Sequence, residues 1–478
     1  MTDATNFYID GAWVEPQEGH RLDVIDPSTE EICATISLGG QGDTNAAVAA
    51  AKRAFTRFGQ SRKAERRELL EAILDRYKAR ATEIADAMTL EMGAPVKLSM
   101  EDQMPSGSYH IKQFIKALEP MEFEFPLHTA AQPGRIHLEP IGVCGLITPW
   151  NWPMNQVTLK VGAAIAAGCT MVLKPSEIAP LSSMVFAEVM HEAGVPAGVF
   201  NLVNGDGPGV GTQLSVHPDV DMVSFTGSTR AGRLITKNAA ETIKRVSLEL
   251  GGKGANIVFE DADGDAVRRG VTHCMENTGQ SCNAPTRMLV QRSRYDDVVA
   301  EAAEVAEATA TGPAREAGDH IGPVVSGVQF DRVQSLIETG IREGARLVAG
   351  GPGRPEGTNR GYFIRPTVFA DVTNDMIIAQ EEIFGPVLSI LPFEDEEDAV
   401  RIANDTPYGL TDYVQTQDPE RARRVARQLR AGMIEINGGR RGAGAPFGGM
   451  KQSGNGREGG RYGIDEFLEV KSVGGWPA

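Results

Sequence analysis

Between Val143 and Leu250 short apolar runs alternate with longer amphipathic stretches. Val143 to Thr148, Thr170 to Leu173, Val199 to Val203, Met222 to Thr226 and Val246 to Leu250 read as buried strands, because brief uninterrupted apolar runs suit a strand covered on both faces. Gln156 to Ala167 and Ser183 to Ala193 have helical length and spacing. Strands separated by helices imply right-handed crossovers and a parallel sheet with helices on both faces, whose ligands sit at the carboxyl ends of the strands. Upstream, residues 44 to 93 are rich in Ala, Glu and Arg. Leu69, Leu70, Ile73, Leu74 and Tyr77 recur there at helical spacing, predicting one apolar stripe on a charged helix that packs on the sheet. A second αβ region runs from about Lys253 to Ile436 and includes the apolar run Met288-Leu289-Val290. Gly350 to Gly361 reads as a surface loop, and Glu394 to Glu397 as a solvated helix start.

A chain of 478 residues with 41% apolar content has core enough for two or three domains without a metal or disulfide scaffold. The formal charge of −17 disfavours nucleic acid and anionic membrane surfaces as partners, since both call for clustered Lys and Arg. Five scattered cysteines with no CxxC pair suggest neither a disulfide framework nor a zinc site, so no metal is expected and a reducing cytoplasm fits best. The first residues lack a basic stretch followed by an apolar one, and no apolar run reaches spanning length, so neither export nor a membrane segment is expected.

The chemistry concentrates in Asn277-Thr278-Gly279-Gln280-Ser281-Cys282-Asn283, taken with Leu248-Glu249-Leu250-Gly251-Gly252-Lys253. Cysteine attacks a carbonyl near neutral pH better than any other side chain, and a glutamate can take its proton and later activate water. A buried inert thiol is the alternative for any single cysteine, and it is the expectation for Cys33, Cys144, Cys169 and Cys274. No G-x-G-x-x-G follows a strand, and Gly205 to Gly211, which lacks the required spacing, is better explained by a tight strand-to-helix turn. Phe225-Thr226-Gly227-Ser228-Thr229 is the better phosphate candidate, a strand end followed by a helix start, although Ser228 could equally be an N-cap with nothing bound. Serine-type and metal-dependent hydrolysis find no support, because neither GxSxG nor HExxH occurs and the eight histidines are scattered.

These segments stand in order with Ile25-Asp26-Pro27, Thr148-Pro149-Trp150-Asn151-Trp152-Pro153, Lys174-Pro175-Ser176-Glu177, Glu381-Glu382-Ile383-Phe384-Gly385-Pro386, Pro446-Phe447-Gly448-Gly449 and Glu469-Val470-Lys471. Together they closely resemble the NAD(P)-dependent aldehyde dehydrogenase superfamily of the hydrolytic, non-CoA-acylating type, over nearly the whole chain. The resemblance implies an α/β fold with a Rossmann-type cofactor domain (residues 1–121 and 141–251), an αβ catalytic domain (252–450) and oligomerisation or bridging segments (122–140 and 451–478). Family equivalents of Glu122 to Glu139 and Phe467 to Val473 pair across subunits, so a homodimer or homotetramer is expected. Cys282 would be the nucleophile, Glu249 the base, and Asn151 with the Cys282 backbone amide the oxyanion donors, with Lys160 and Glu458 as a proton relay. Unrelated surface charges remain the alternative for that last pair.

NAD would contact Ile147, Thr148, Trp150, Lys174, Ser176, Glu177, Gly207, Phe225, Gly227, Ser228, Ala231, Leu250, Glu382 and Phe384. A carboxylate at Glu177 would repel a 2'-phosphate, which favours NAD over NADP. Trp152, Gln156, Leu159, Ser281, Asn283 and the loop from Asn437 to Ala445 would line the aldehyde tunnel. That loop carries Arg440 and Arg441 where the family usually has larger apolar residues. They suit a distal carboxylate, as in a semialdehyde, or they are merely solvated. The rival readings are a CoA-acylating enzyme, which would usually lack the carboxylate at Glu249, and a retired nucleotide-binding protein of the same fold.

Overall fold

The computed structural model describes residues 2–17, 19–127 and 134–476. Two seven-stranded sheets dominate it. In the first the order is Arg245–Glu249, Met222–Thr226, Val143–Ile147, Thr170–Lys174, Phe200–Leu202, Phe7–Ile9 and Ala12–Val14. The five strands from Arg245–Glu249 to Phe200–Leu202 are parallel, and the last two add on antiparallel. Val143–Ile147, first of the five in sequence, is flanked by later strands on both sides, so the strand order reverses beside it. That reversal opens a crevice at the carboxyl ends, where Ile147, Lys174, Thr226 and Glu249 finish their strands.

The second sheet has the order Arg346–Ala349, Thr367–Ala370, Val387–Phe393, Arg287–Gln291, Ala255–Val258, Thr411–Gln415 and Met433–Ile436, parallel except for its first pair. Two candidate site residues lie just before its strands, since Cys282 precedes Arg287 and Phe384 precedes Val387. Residues leaving one sheet therefore meet residues entering the other. A third sheet pairs Leu468–Gly474 with Gly134–Pro140 and that with Glu124–Pro126. Residues 128–133 of the expected 122–140 segment, and 477–478 of the C-terminal one, lie outside the described residues.

The charged stretch near residue 70 differs from the sequence expectation. Residues 44 to 93 form three helices, Gln41–Phe58, Lys63–Ala79 and Ala81–Met92. Leu70, Ile73, Leu74 and Tyr77 are buried as the spacing predicts, but their helix packs on the helices Met104–Leu118, Pro153–Ala167 and Leu181–Glu192. It is Gln41–Phe58, with its small Ala47, Ala50 and Ala51 face, that lies against the strand Thr170–Lys174. An apolar stripe specifies burial without specifying what covers it.

Candidate active site

The segment that presents Cys282 is strained. Asn277, Thr278 and Gly279 follow one another at φ values of 52°, 58° and 69°, in the left-handed region that a β-branched threonine enters only at a cost. Gly279 lies against the Gly385 carbonyl with no space for a Cβ. Hydrogen bonds hold the turn. Thr278 Oγ1 donates to the Gly322 carbonyl at 3.0 Å, the Val325 amide donates to Gln280 Oε1 at 2.9 Å, and Gln280 Nε2 donates to the Asn277 carbonyl at 3.2 Å.

Asn151 enters from the other sheet, in the turn after Val143–Ile147, and is 3% exposed. Its Nδ2 donates to the Gln280 carbonyl at 2.9 Å, which fixes the amide and leaves the second N–H free. Trp152 Nε1 donates to Ser281 Oγ at 2.8 Å, so the Trp150-Asn151-Trp152 turn is tied to the Cys282 segment at both Gln280 and Ser281. Cys282 is half-buried, and its thiol is pushed up to about 12 by burial and then by the Glu382 and Glu249 carboxylates, with Arg441 pulling the other way. The resting thiol is therefore protonated and needs a base.

Glu249 ends its strand 2% exposed, and neither of its oxygens accepts a hydrogen bond from the protein. Its Oε1 rests in a notch made by two glycines: a Cβ on Gly448 or Gly456 would stand 2.7 or 2.8 Å away. Burial raises the Glu249 carboxyl well above the usual range; Glu458 pushes it further up and Lys160 draws it down. Across a separation of 298 residues, Lys160 Nζ donates to Glu458 Oε1 at 2.5 Å, and it also reaches Ser224 Oγ at 3.2 Å. The structure thus brings the relay pair together beside Glu249. Among the described residues no hydrogen bond joins Glu249 to Cys282, although its charge acts on the thiol.

The cofactor candidates gather along the carboxyl ends of the first sheet. Lys174 Nζ pairs with Glu177 Oε2 at 3.1 Å, an ammonium and a carboxylate side by side, as vicinal hydroxyls require. Ser176 is buried next to them, with its Oγ accepting from the Ile178 amide at 3.4 Å. Ser228 caps the helix Thr229–Ala239 by accepting from the Ala231 amide, and it remains exposed at that positive helix end. Ile147, Phe225 and Leu250 form an apolar floor with Ala231 packed against it, while Thr148 is buried and Gly227 lies against the Phe225 ring. Gly207 stands exposed beyond the strand Phe200–Leu202. On the facing side, Glu382 Oε1 accepts from the Gly252 amide at 2.9 Å, and burial pushes its carboxyl up to about 7. Phe384, at φ 61°, meets Trp150 edge to face at 5.3 Å. These groups fit a dinucleotide with ribose hydroxyls and a pyrophosphate.

A cavity of about 910 Å³ is lined by Asp102, His273, Glu276, Tyr413, Glu435 and Arg440 among others, whereas Cys282, Asn151, Trp152, Gln156, Leu159, Ser281 and Asn283 do not line it. Tyr413 links it to the chemistry, because its hydroxyl donates to the Asn283 carbonyl at 2.6 Å. The two arginines of the loop are not equivalent. Arg441 is committed, with its Nε 3.4 Å from Glu435 Oε1 and its guanidinium stacked 4.9 Å above Phe447. Arg440 faces the cavity and makes no ion pair or hydrogen bond among the described residues. Gln156 is buried with its Oε1 unpaired, and Leu159 belongs to the surrounding hydrophobic core.

Sequence reasoning missed several groups here. Gln103 donates to the Asn151 carbonyl from a third segment, Asn277 supports the same carbonyl, and Ser224 receives Lys160. Lys253 is buried with no partner for its ammonium, which burial pushes down to about 7. No local pattern marks Gln103 or Ser224.

The model of the Aldehyde dehydrogenase family matches residues 13–473. A curated relative, 3-succinoylsemialdehyde-pyridine dehydrogenase of a Pseudomonas species, is 53% identical over all of this chain and 99% of its own length. Among solved structures, an aldehyde dehydrogenase from Bartonella henselae is 56% identical, with full coverage of both chains and a TM-score of 0.98. Aldehyde dehydrogenase C from Pseudomonas syringae, solved as a mutant with NAD+ and octanal, is 47% identical over 99% of this chain and 98% of its own, with a TM-score of 0.97.

Proposed function

The chain belongs to the aldehyde dehydrogenase family, and from that premise we propose that it oxidises an aldehyde to the carboxylic acid through a thiohemiacetal and then a thioester on Cys282. The reading is carried by one half-buried cysteine, an amide donor, Asn151, fixed on the carbonyl two residues before it, and a buried carboxylate left unbound, Glu249, whose charge acts on the thiol.

Sulfur attack forms the C–S bond while the thiol proton passes to Glu249. The oxygen of the tetrahedral adduct then accepts from the free Asn151 N–H and from the Cys282 backbone amide, donors worth roughly a hundredfold to a thousandfold each in turnover. Collapse restores the C=O bond and expels a hydride. The nicotinamide, when bound, supplies the acceptor for that hydride. Glu249 next takes a proton from water as the water attacks the thioester, the C–S bond breaks, and acid and free thiol result. The net change is aldehyde, NAD+ and water to acid, NADH and a proton. Lys160 and Glu458 stand where the proton on Glu249 must be passed on. Glu249 also favours hydrolysis over transfer to CoA.

NAD is the preferred cofactor on this reading, because Glu177 places a carboxylate where a 2'-phosphate would be repelled. The relatives crystallised with NAD+ support the cofactor class. A semialdehyde, or another aldehyde with a distal polar group, is the substrate favoured by the relative named for a semialdehyde, and the unpaired Arg440 lines a cavity joined to the Cys282 segment through Tyr413. The edge of Leu468–Gly474, with Val470 69% exposed, supports assembly into a homo-oligomer. One experiment tests the core: NADH or NADPH formation from aldehydes with and without a distal carboxylate, by the native protein and by Cys282→Ser. The reading requires turnover in the first and none in the second with NAD binding intact. Near-native turnover by Cys282→Ser would refute it.

A further inference from the structure

Gln103 closes a short π-helical turn, Ser99–Gln103, in which the Met104 amide reaches back to the Ser99 carbonyl. The wider turn points Gln103 inward while Glu101 and Asp102 stay in solvent, and Gln103 is 0% exposed. Its Nε2 donates to the Asn151 carbonyl at 3.0 Å and to Asn277 Oδ1 at 3.3 Å, while its Oε1 pairs with no protein group. Packing alone does not call for such a residue, since burying half an amide unpaired costs more than an apolar side chain of equal length.

The second bond explains its place. By holding Asn277 Oδ1, Gln103 turns the Asn277 Nδ2 toward the Asn151 carbonyl at 2.9 Å and the Gln280 carbonyl at 3.2 Å. The Gln280 carbonyl in turn accepts from Asn151 Nδ2. Four amide side chains, Gln103, Asn151, Asn277 and Gln280, so close one network across three segments, and every amide nitrogen in it donates. It joins the strained turn at Asn277 and Thr278 to the turn that carries the oxyanion donor.

We infer that Gln103 is a positioning residue for the reaction: it locks the left-handed nucleophile turn against Asn151, so that the free Asn151 N–H points at the oxygen developing on the Cys282 adduct. This rests on the proposed role of Asn151 as oxyanion donor. Its action is on acylation, not on aldehyde or cofactor affinity.

The test compares Gln103→Met, which keeps length and loses the donors, with Asn151→Ala, the double variant and Ser99→Ala. Ser99 sits in the same π turn but bonds only Thr89 and the Ala94 carbonyl, so its loss reports destabilisation of the turn alone. Acylation is read from the NADH burst with an aldehyde and from p-nitrophenyl acetate cleavage, which needs no hydride transfer. Gln103→Met should slow both by about tenfold to a hundredfold, the scale of a misplaced catalytic group, with aldehyde KM and NAD affinity little changed. In the Asn151→Ala background it should add almost nothing, because it acts through that amide. Ser99→Ala should lower Tm and leave acylation alone. Wild-type acylation in Gln103→Met, a full additive effect on Asn151→Ala, or equal slowing by Ser99→Ala would each overturn the inference. Unchanged acylation in Asn151→Ala would instead remove the oxyanion reading beneath it. If Gln103→Met does not fold, Gln103→Glu decides: its activity relative to the native protein should fall with rising pH as the introduced carboxyl ionises and loses its hydrogen, and a flat ratio would overturn the inference.

Discussion

Asn151 and Glu249 flank Cys282 at almost the same depth, 3% and 2% exposed, yet their surroundings are opposite. On the Asn151 side each amide nitrogen is spent on a hydrogen bond. On the Glu249 side a carboxylate sits in a glycine notch with neither oxygen bound, beside a lysine and a second glutamate. The difference matches the tasks proposed. A donor aimed at charge that develops in one place gains from being immobile. A base that must meet a thiol and later a water gains from having nothing to release, and the cost appears as a carboxyl pushed far up by burial.

Breaking the fixed side should have the largest effect. Asn151→Ala is expected to reduce acylation about a hundredfold to a thousandfold without loss of NAD binding, measured by single-turnover NADH formation. A tenfold or smaller loss would mean that the amide cluster organises the fold and not the oxyanion.

The charged side offers a sign test. Burial raises the Glu249 carboxyl, and only its ionised form can act as the base, so activity should rise with pH as it ionises. Glu458 pushes its pKa up, so Glu458→Gln should move the rising limb of kcat to lower pH. Lys160 draws it down, so Lys160→Met should move the limb to higher pH, each by about one unit. Shifts of the same sign in both variants would separate the pair from Glu249.

The smallest effect is expected outside both clusters. Arg440→Ala should raise KM several-fold for an aldehyde with a distal carboxylate and leave an uncharged aldehyde of similar length untouched, as read from initial rates. Equal effects on the two substrates would withdraw the semialdehyde reading.

Much of this was legible in the sequence, but unevenly. The five parallel strands announced themselves as short apolar runs, and the chemistry-bearing residues fall at their carboxyl ends, as parallel topology demands. Cys282 and Glu249 could be proposed from their own chemistry. The Lys160–Glu458 contact spans 298 residues, and only resemblance suggested it; periodicity carries no information about such a pairing. Gln103 escaped altogether. One polar residue directly after two acidic ones reads as helix surface, and only the π turn, invisible in the hydrophobic pattern, rotates it inward. The notch around Glu249 was half visible, since Gly448 stands in Pro446-Phe447-Gly448-Gly449 while the contact that it and Gly456 share with one carboxylate depends on the fold.

The contrast between a fixed donor and a free base is tested most directly by Glu249→Gln in rapid-mixing experiments with intact-mass detection. With the donors in place and the base removed, the account predicts slowed acylation that releases at most about one NADH per subunit, a thioester on Cys282 that persists, and almost no steady-state turnover. Native-like steady-state turnover, or an acyl group found on any other cysteine, would contradict it.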